Sequence, residues 1–210
     1  MTIIVAAILP ETIILAADSK RSASNGKTFE VLKVRAVSRR TVVAKGGFGD
    51  LADSIWTAID GLPEEVRCNP LSLAHHVHRI GATIHQECLS KAKVAGEGDL
   101  GLYIFIAGIE EDDNAVLVVV DAGKGQRKEY RSSGPTEVTG MGSVPDALRI
   151  AHQAAQAVSD SNEPLPAVDW ATEAIRIGQA NDPATIGFPG DLAAVTAAGV
   201  QWVKLSAIIR

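Results

Sequence analysis

Residues 3–17 read Ile3-Ile4-Val5-Ala6-Ala7-Ile8-Leu9-Pro10-Glu11-Thr12-Ile13-Ile14-Leu15-Ala16-Ala17. Two apolar runs rich in β-branched residues flank a Pro-Glu break, a pattern that predicts a hairpin of two strands. Neither run alternates with polar residues, so both strands are expected to be buried rather than half-exposed. Thr2 precedes the first strand, and Asp18-Ser19 follows the second. Removal of Met1 would leave Thr2 with a hydroxyl and a free α-amine on one residue. That is the arrangement of a threonine nucleophile activated by its own amine. The plainer reading of Thr2 is a strand-forming residue at a chain end.

Outward from the hairpin, Ser19 to Lys27 reads as a polar loop. Phe29 to Val37 and Thr41 to Ala44 read as a second strand pair around Ser38-Arg39-Arg40. Gly46-Gly47-Phe48-Gly49-Asp50 opens a helix with Leu51, Ile55, Ala58 and Ile59 on one face, stopping near Gly61-Leu62-Pro63. A longer helix is predicted from Asn69-Pro70, with the asparagine as N-cap, through Leu73, Val77, Ile80, Ile84 and Cys88 toward Lys91. Gly96 to Asp99 reads as a loop. Strands are expected at Leu102 to Ala107 and Ala115 to Val120 around an acidic turn, with shorter ones at Gln126 to Tyr130 and Glu137 to Thr139. Helices follow over Pro145 to Val158 and Pro166 to Gln179. A closing hairpin, Leu192 to Ala197 and Gln201 to Ile209, turns at Ala198-Gly199.

Strands parted by pairs of helices argue against a doubly wound parallel sheet. The expected class is α+β: two antiparallel sheets packed together, with helix pairs on their outer faces. The chain, 1–210, reads as a single domain without repeat or linker.

Composition agrees with such a domain. The 210 residues suffice for a sizeable core, and the 46% hydrophobic and 21% charged content is that of a globular chain. A formal net charge of −5 and scattered basic residues argue against a nucleic-acid partner. Cys68 and Cys88 are too few for a disulfide framework, which points to a reducing compartment. No basic segment precedes the first apolar run, and no stretch reaches the roughly 18 apolar residues of a spanning helix. A cytoplasmic chain with no membrane partner is expected.

Taken in order, Thr2, Ala16-Ala17-Asp18-Ser19, Lys33 and Gly46-Gly47-Phe48-Gly49-Asp50 resemble the proteasome β-subunit and HslV family of N-terminal-nucleophile hydrolases. The resemblance covers the whole length and is closest to a simple bacterial proteasome homologue. It implies a four-layer αββα sandwich and a threonine-type endopeptidase. Under it Thr2 is the nucleophile, the Lys33 charge favours the neutral amine, Asp18 holds Lys33, and the Gly46 N–H faces the oxyanion. Asn181-Asp182-Pro183-Ala184-Thr185 resembles the family's Asp-x-x-Ser segment: Asp182 matches, and Thr185 keeps a hydroxyl. The family's substrate-pocket positions fall on Arg21, Val31, Ala44 and Phe48. Gly140-Met141-Gly142-Ser143 departs from the family's Gly-Ser-Gly, with Met141 in the serine's place. The resemblance further implies a polypeptide substrate, homo-oligomeric stacked rings, a possible ATPase unfoldase partner, no cofactor and no metal.

Each residue also has a plainer role. Asp18 suits a loop cap after a strand, Lys33 an exposed edge strand, Gly46-Gly47 a strand-to-helix turn, and Asp182-Pro183 a turn after a helix. His75, His76, His78 and His85 share one predicted helix but lack paired metal-ligand spacing, so packed or half-exposed histidines are expected. Gly123-Lys124-Gly125 reads as a hairpin turn rather than a phosphate loop. Ala147, Ile150, Ala151, Ala154 and Ala155 form a face for close packing within or between subunits, and Trp56, Trp170 and Trp202 suit core or interface. Two other functions compete with the peptidase. One is an inactive ring-forming scaffold, favoured by Met141 or by a retained Met1 that blocks the amine. The other is an amidase acting on a small molecule.

Overall fold

The opening hairpin forms as its composition requires. In the computed structural model, which describes residues 2–22, 27–47, 49–95, 101–132, 136–142, 146–159 and 165–207, β1 (Ile3–Ile8) pairs antiparallel with β2 (Ile13–Asp18). Every residue of both strands is buried.

The next segment differs from expectation. The predicted polar loop contains β3 (Lys20–Ser22), which pairs with β4 (Thr28–Glu30). The single strand expected over 29–37 is split, because β5 (Val34–Ala36) instead pairs with β6 (Thr41–Gly47). At the break, the Val31 N–H bonds the Ser19 carbonyl and Lys33 turns inward to Asp18. The chain thus leaves one ladder and joins another.

The helix α1 (Gly49–Asp60) ends near Gly61 as expected, but the short α2 (Glu64–Cys68) follows it, with Glu64 and Glu65 favourably placed in its first turn. The long α3 (Pro70–Ala95) starts at the predicted cap, where Asn69 Oδ1 accepts the Ser72 N–H at 2.8 Å. The strands β7 (Leu102–Ile109), β8 (Ala115–Asp121) and β9 (Gln126–Arg131) form a meander. Gly125, at φ 61°, makes the turn between β8 and β9, where Asp121 Oδ1 accepts the Lys124 N–H. The chain closes with β10 (Glu137–Gly142), α4 (Ala147–Val158), α5 (Ala167–Asn181), β11 (Gly190–Thr196) and β12 (Gly199–Leu205). The loop expected at 96–99 lies outside the described residues.

These strands make two five-stranded antiparallel sheets, ordered β10-β1-β2-β11-β12 and β5-β6-β7-β8-β9, beside the β3-β4 ribbon. The fold is mixed α+β with antiparallel sheets. Residues of alternating parity along β1 serve different clusters. Ile4 and Ala6 join Leu15, Val42, Phe105 and Leu117 from both sheets. Ile3 and Val5 instead pack with Ile150, Ala151, Trp170 and Ile175 of α4 and α5. On the second sheet, Ile104 and Ile106 pack against Leu51, Ile55, Leu73 and Val77 of α1 and α3. Apolar contact on both faces explains why the opening runs carry no polar alternation.

Most of the alanine face of α4 is spent within the subunit, since Ala147, Ile150, Ala151 and Ala154 are buried there, while Ala155 at its edge is half-buried. Trp170 is core, donating its Nε1–H to the Ala151 carbonyl at 3.0 Å, whereas Trp202 is 47% exposed. Among the described residues, no helix is long and apolar enough to cross a membrane.

Candidate active site

Thr2 is buried at the start of β1, only 3% exposed. Its neighbour Ile3 donates a backbone N–H to Asp18 Oδ1 at 3.0 Å. Hairpin register makes this contact: Ile4 faces Ala17, which brings the residue that ends β2 beside the residue that begins β1. The other Asp18 oxygen accepts Lys33 Nζ at 2.9 Å, and Lys33 donates again to the Lys20 carbonyl at 2.7 Å. The Lys33 carbonyl accepts the Lys45 N–H at 2.9 Å, which anchors this segment to β6.

Gly46 on β6 lies directly against Thr2. A Cβ at position 46 would stand 2.7 Å from Thr2 Cγ2, so a larger side chain would have to displace the threonine. Gly142 closes the opposite side, where a Cβ would meet the Thr2 carbonyl oxygen at 2.1 Å. Gly46 thus packs on Thr2 and Asp18 binds the adjoining backbone, while Lys33 is held there through Asp18, although the three come from different strands and the link before β5. Lys33 is not a water-facing edge lysine: its side chain is 7% exposed and that of Asp18 is 0%. Burial pushes the Asp18 carboxyl up and the Lys33 ammonium down, each against the opposing charge of the other.

A second charged group adjoins the first and was not legible from the motifs. Lys45, with a side chain 5% exposed, pairs with Asp53 of α1, and Asp53 also accepts Arg21 Nη1 at 2.7 Å. The Trp56 ring carries Lys45 Nζ at 5.5 Å and Arg35 at 4.5 Å from its centroid. Burial lowers the Lys45 pKa despite Asp53. For Asp53, burial acts upward, but hydrogen bonds from Lys45 and Arg21 outweigh it and hold the carboxyl below its ordinary range. Strand parity was the available signal. If Gly46 faces Thr2, Lys45 must face the helix side, where Asp53 and Trp56 lie nearly one turn apart.

Asp182 and Thr185 are joined by a hydrogen bond from the threonine hydroxyl to Asp182 Oδ2. Their loop is tied to β3, because Lys20 Nζ donates to the Pro183 carbonyl at 2.8 Å and Ser22 Oγ to the Ala184 carbonyl at 2.9 Å. Lys20 also supplies the second acceptor of Lys33, so this pair connects with the Asp18–Lys33 pair through β3. Of the expected pocket positions, Arg21 and Val31 are half-buried, while Ala44 is fully buried in the cluster between the sheets. Phe48 and Ser143 lie outside the described residues. Met141 sits opposite Ile4 on β10 and packs against the inter-sheet cluster.

Of the α3 histidines, His75 and His76 meet edge to face, whereas His78 and His85 reach the β8-β9 turn. His78 Nε2 lies 3.3 Å from the Gly125 carbonyl oxygen, and buried His85 packs beside Gly123 and Asp121. Among the described residues, no three His, Cys, Asp or Glu side chains are grouped to hold a metal ion. The chain matches no protein-family model, and no curated protein matches it.

Proposed function

We propose that the chain is a threonine-type endopeptidase of the N-terminal-nucleophile class, with Thr2 as nucleophile once Met1 is removed. The observation that carries this reading is the buried Asp18–Lys33 pair, hydrogen-bonded to the backbone beside Thr2, with Gly46 packed against the threonine. A lysine and aspartate at a strand end would ordinarily be solvated. Here they are buried together beside the hydroxyl residue Thr2.

In the proposed reaction Thr2 Oγ adds to the peptide carbonyl carbon while its proton passes to the α-amine. The carbonyl electron pair moves onto oxygen, which accepts the Gly46 N–H. Collapse breaks the C–N bond, and the amine returns the proton to the leaving nitrogen. An ester on Thr2 remains. Water then attacks the ester with the same amine as base, releasing the acid and restoring the hydroxyl. Lys33 favours the neutral amine through its charge, and Asp18 positions Lys33. Asp182 and Thr185 support the site through β3. Arg21, Val31 and Phe48 are proposed to contribute to the substrate pocket, with the fully buried Ala44 supporting it from the core.

The proposal extends to architecture. Three hydrophobic clusters, one between the sheets and one on each outer face, support a four-layer αββα sandwich. With it we propose homo-oligomeric stacked rings in the cytoplasm, acting on polypeptides, with an ATPase unfoldase as a possible partner.

One observation favours a second reading, a ring-forming scaffold of little activity. Met141 stands where the family has serine, and it packs into apolar surroundings. Intact-mass analysis of the purified protein separates the two. The peptidase requires loss of Met1 and a single epoxyketone or β-lactone adduct on Thr2, absent from Thr2→Ala. Uniform retention of Met1, or unchanged peptide hydrolysis in Thr2→Ala, overturns it.

A further inference from the structure

At the end of β10 opposite to Gly142 and Thr2, where Glu137 pairs with Ile8, the two sheets leave a cleft of about 560 Å³ at their β9 and β10 edges. Among the described residues β10 has a hydrogen-bonded neighbour, β1, on one side only, so its other edge offers free backbone N–H and C=O groups. The cleft wraps the start of that edge, at Thr136, Glu137 and Val138.

Both layers needed to cover one more strand are already present. Toward the outer face, α4 projects a stripe at helical spacing, Leu148, His152 and Ala155, which lines the cleft together with the C-cap Ser159. Leu148 is 49% exposed there, an unusual state for a leucine on a helix whose neighbouring face is core. Toward the inner face stand Lys128 and Tyr130 of β9, with the Lys128 ammonium 4.4 Å from the tyrosine ring centroid. Tyr130 in turn touches Thr139 of β10 at 3.2 Å, which sets the inner limit of the opening. The other charges of β9 are matched: Glu129 binds Arg127 and Arg131, and Arg131 also binds Glu110. Lys128 has no carboxylate partner among the described residues, nor does Glu137 have a cation.

We propose that this cleft takes an extended peptide segment of a partner protein, added as a sixth strand along β10. At the ordinary strand spacing of about 4.8 Å, alternate side chains of the added strand point to opposite faces. Residues on one face meet Leu148 and Ala155 and must be apolar. The residue between them faces Lys128 and must be acidic. The signature is therefore apolar–acidic–apolar in extended conformation. The site takes no part in the Thr2 chemistry.

Fluorescence anisotropy of a fluorescein-labelled peptide, Gly-Thr-Leu-Glu-Leu-Thr-Gly amide, on the full-length protein tests this. Saturable binding is expected, weakened about tenfold or more by Lys128→Glu and by Leu148→Asp, exposed positions whose variants are checked for unchanged circular dichroism. The peptide with lysine for glutamate should bind Lys128→Glu better than the native protein, and backbone N-methylation at alternate residues should abolish binding. No saturable binding, or binding indifferent to both substitutions, overturns the proposal. So does a change of oligomeric state in the two variants without peptide binding, which assigns the cleft to a second copy of the chain.

Discussion

At the scale of single residues, the Asp18 carboxylate has two tasks, holding the Ile3 N–H and compensating Lys33. Breaking a buried pair from one side leaves a charge without a partner, so Asp18→Asn or Lys33→Met alone is expected to cost about 3–5 kcal/mol. The double variant Asp18→Asn/Lys33→Met removes both charges of the pair, and its cost should fall well short of the sum of the two. Urea unfolding of the three variants reads this directly, and simple additivity would mean that the pair does not interact. Asp53 governs the acid limit of the neighbouring network. Its folded pKa lies below the unfolded value, so its contribution is present above about pH 4 and is lost as the pH falls through the folded pKa. Asp53→Asn should therefore flatten the acid limb of a stability-versus-pH curve. At pH 7 it should cost about 1–3 kcal/mol, because Lys45 keeps its burial and loses its partner. An unaltered acid limb would show that the contact is not maintained in solution. Thr2, Asp18, Lys33 and Gly46 were each legible as residues, but the depth of the pair and the Lys45–Asp53 contact were not. Burial is a property of what lies above and below a residue, which its own segment does not report.

At the scale of elements, the long helices and apolar strands followed from periodicity, because their patterns agree with their surroundings. Asn69 shows a local signal that suffices: its side chain caps α3 where Pro70 begins the helix. Asn69→Ala should cost about 1 kcal/mol, seen as a lower melting temperature without loss of helix content at 20 °C. No change in melting temperature would remove the cap from the account of this helix. The failures lie where tertiary bonds overrule pattern. Phe29 to Val37 has the composition of one strand, yet Lys33 must leave the ladder to reach Asp18, and the strand breaks there. Lys20 to Ser22 reads as loop because its residues are polar. It forms a strand because β4 supplies partners on a surface ribbon that needs no apolar face.

At the scale of the whole molecule, small residues set how closely the helix pair approaches the first sheet. Ala151 is fully buried between α4, α5 and β1, and its carbonyl accepts the indole N–H of Trp170. Ala151→Leu is expected to destabilise by about 1–3 kcal/mol through overpacking and to shift tryptophan fluorescence, since Trp170 must move. A variant of native stability and spectrum would show that this layer is loosely packed. The sequence alone determined the antiparallel α+β class, because burial of unalternated strands and pairing of amphipathic helices are written in local periodicity. It also determined which residue types were available at the candidate site. Only the tertiary structure decided that Asp18 joins Lys33 to the backbone beside Thr2, that Gly46 packs on Thr2, that Ala147, Ile150, Ala151 and Ala154 of α4 are internal, and that β10 pairs on one side only among the described residues. Those outcomes depend on register and layer order, which join residues far apart in the chain through contacts that no local pattern encodes.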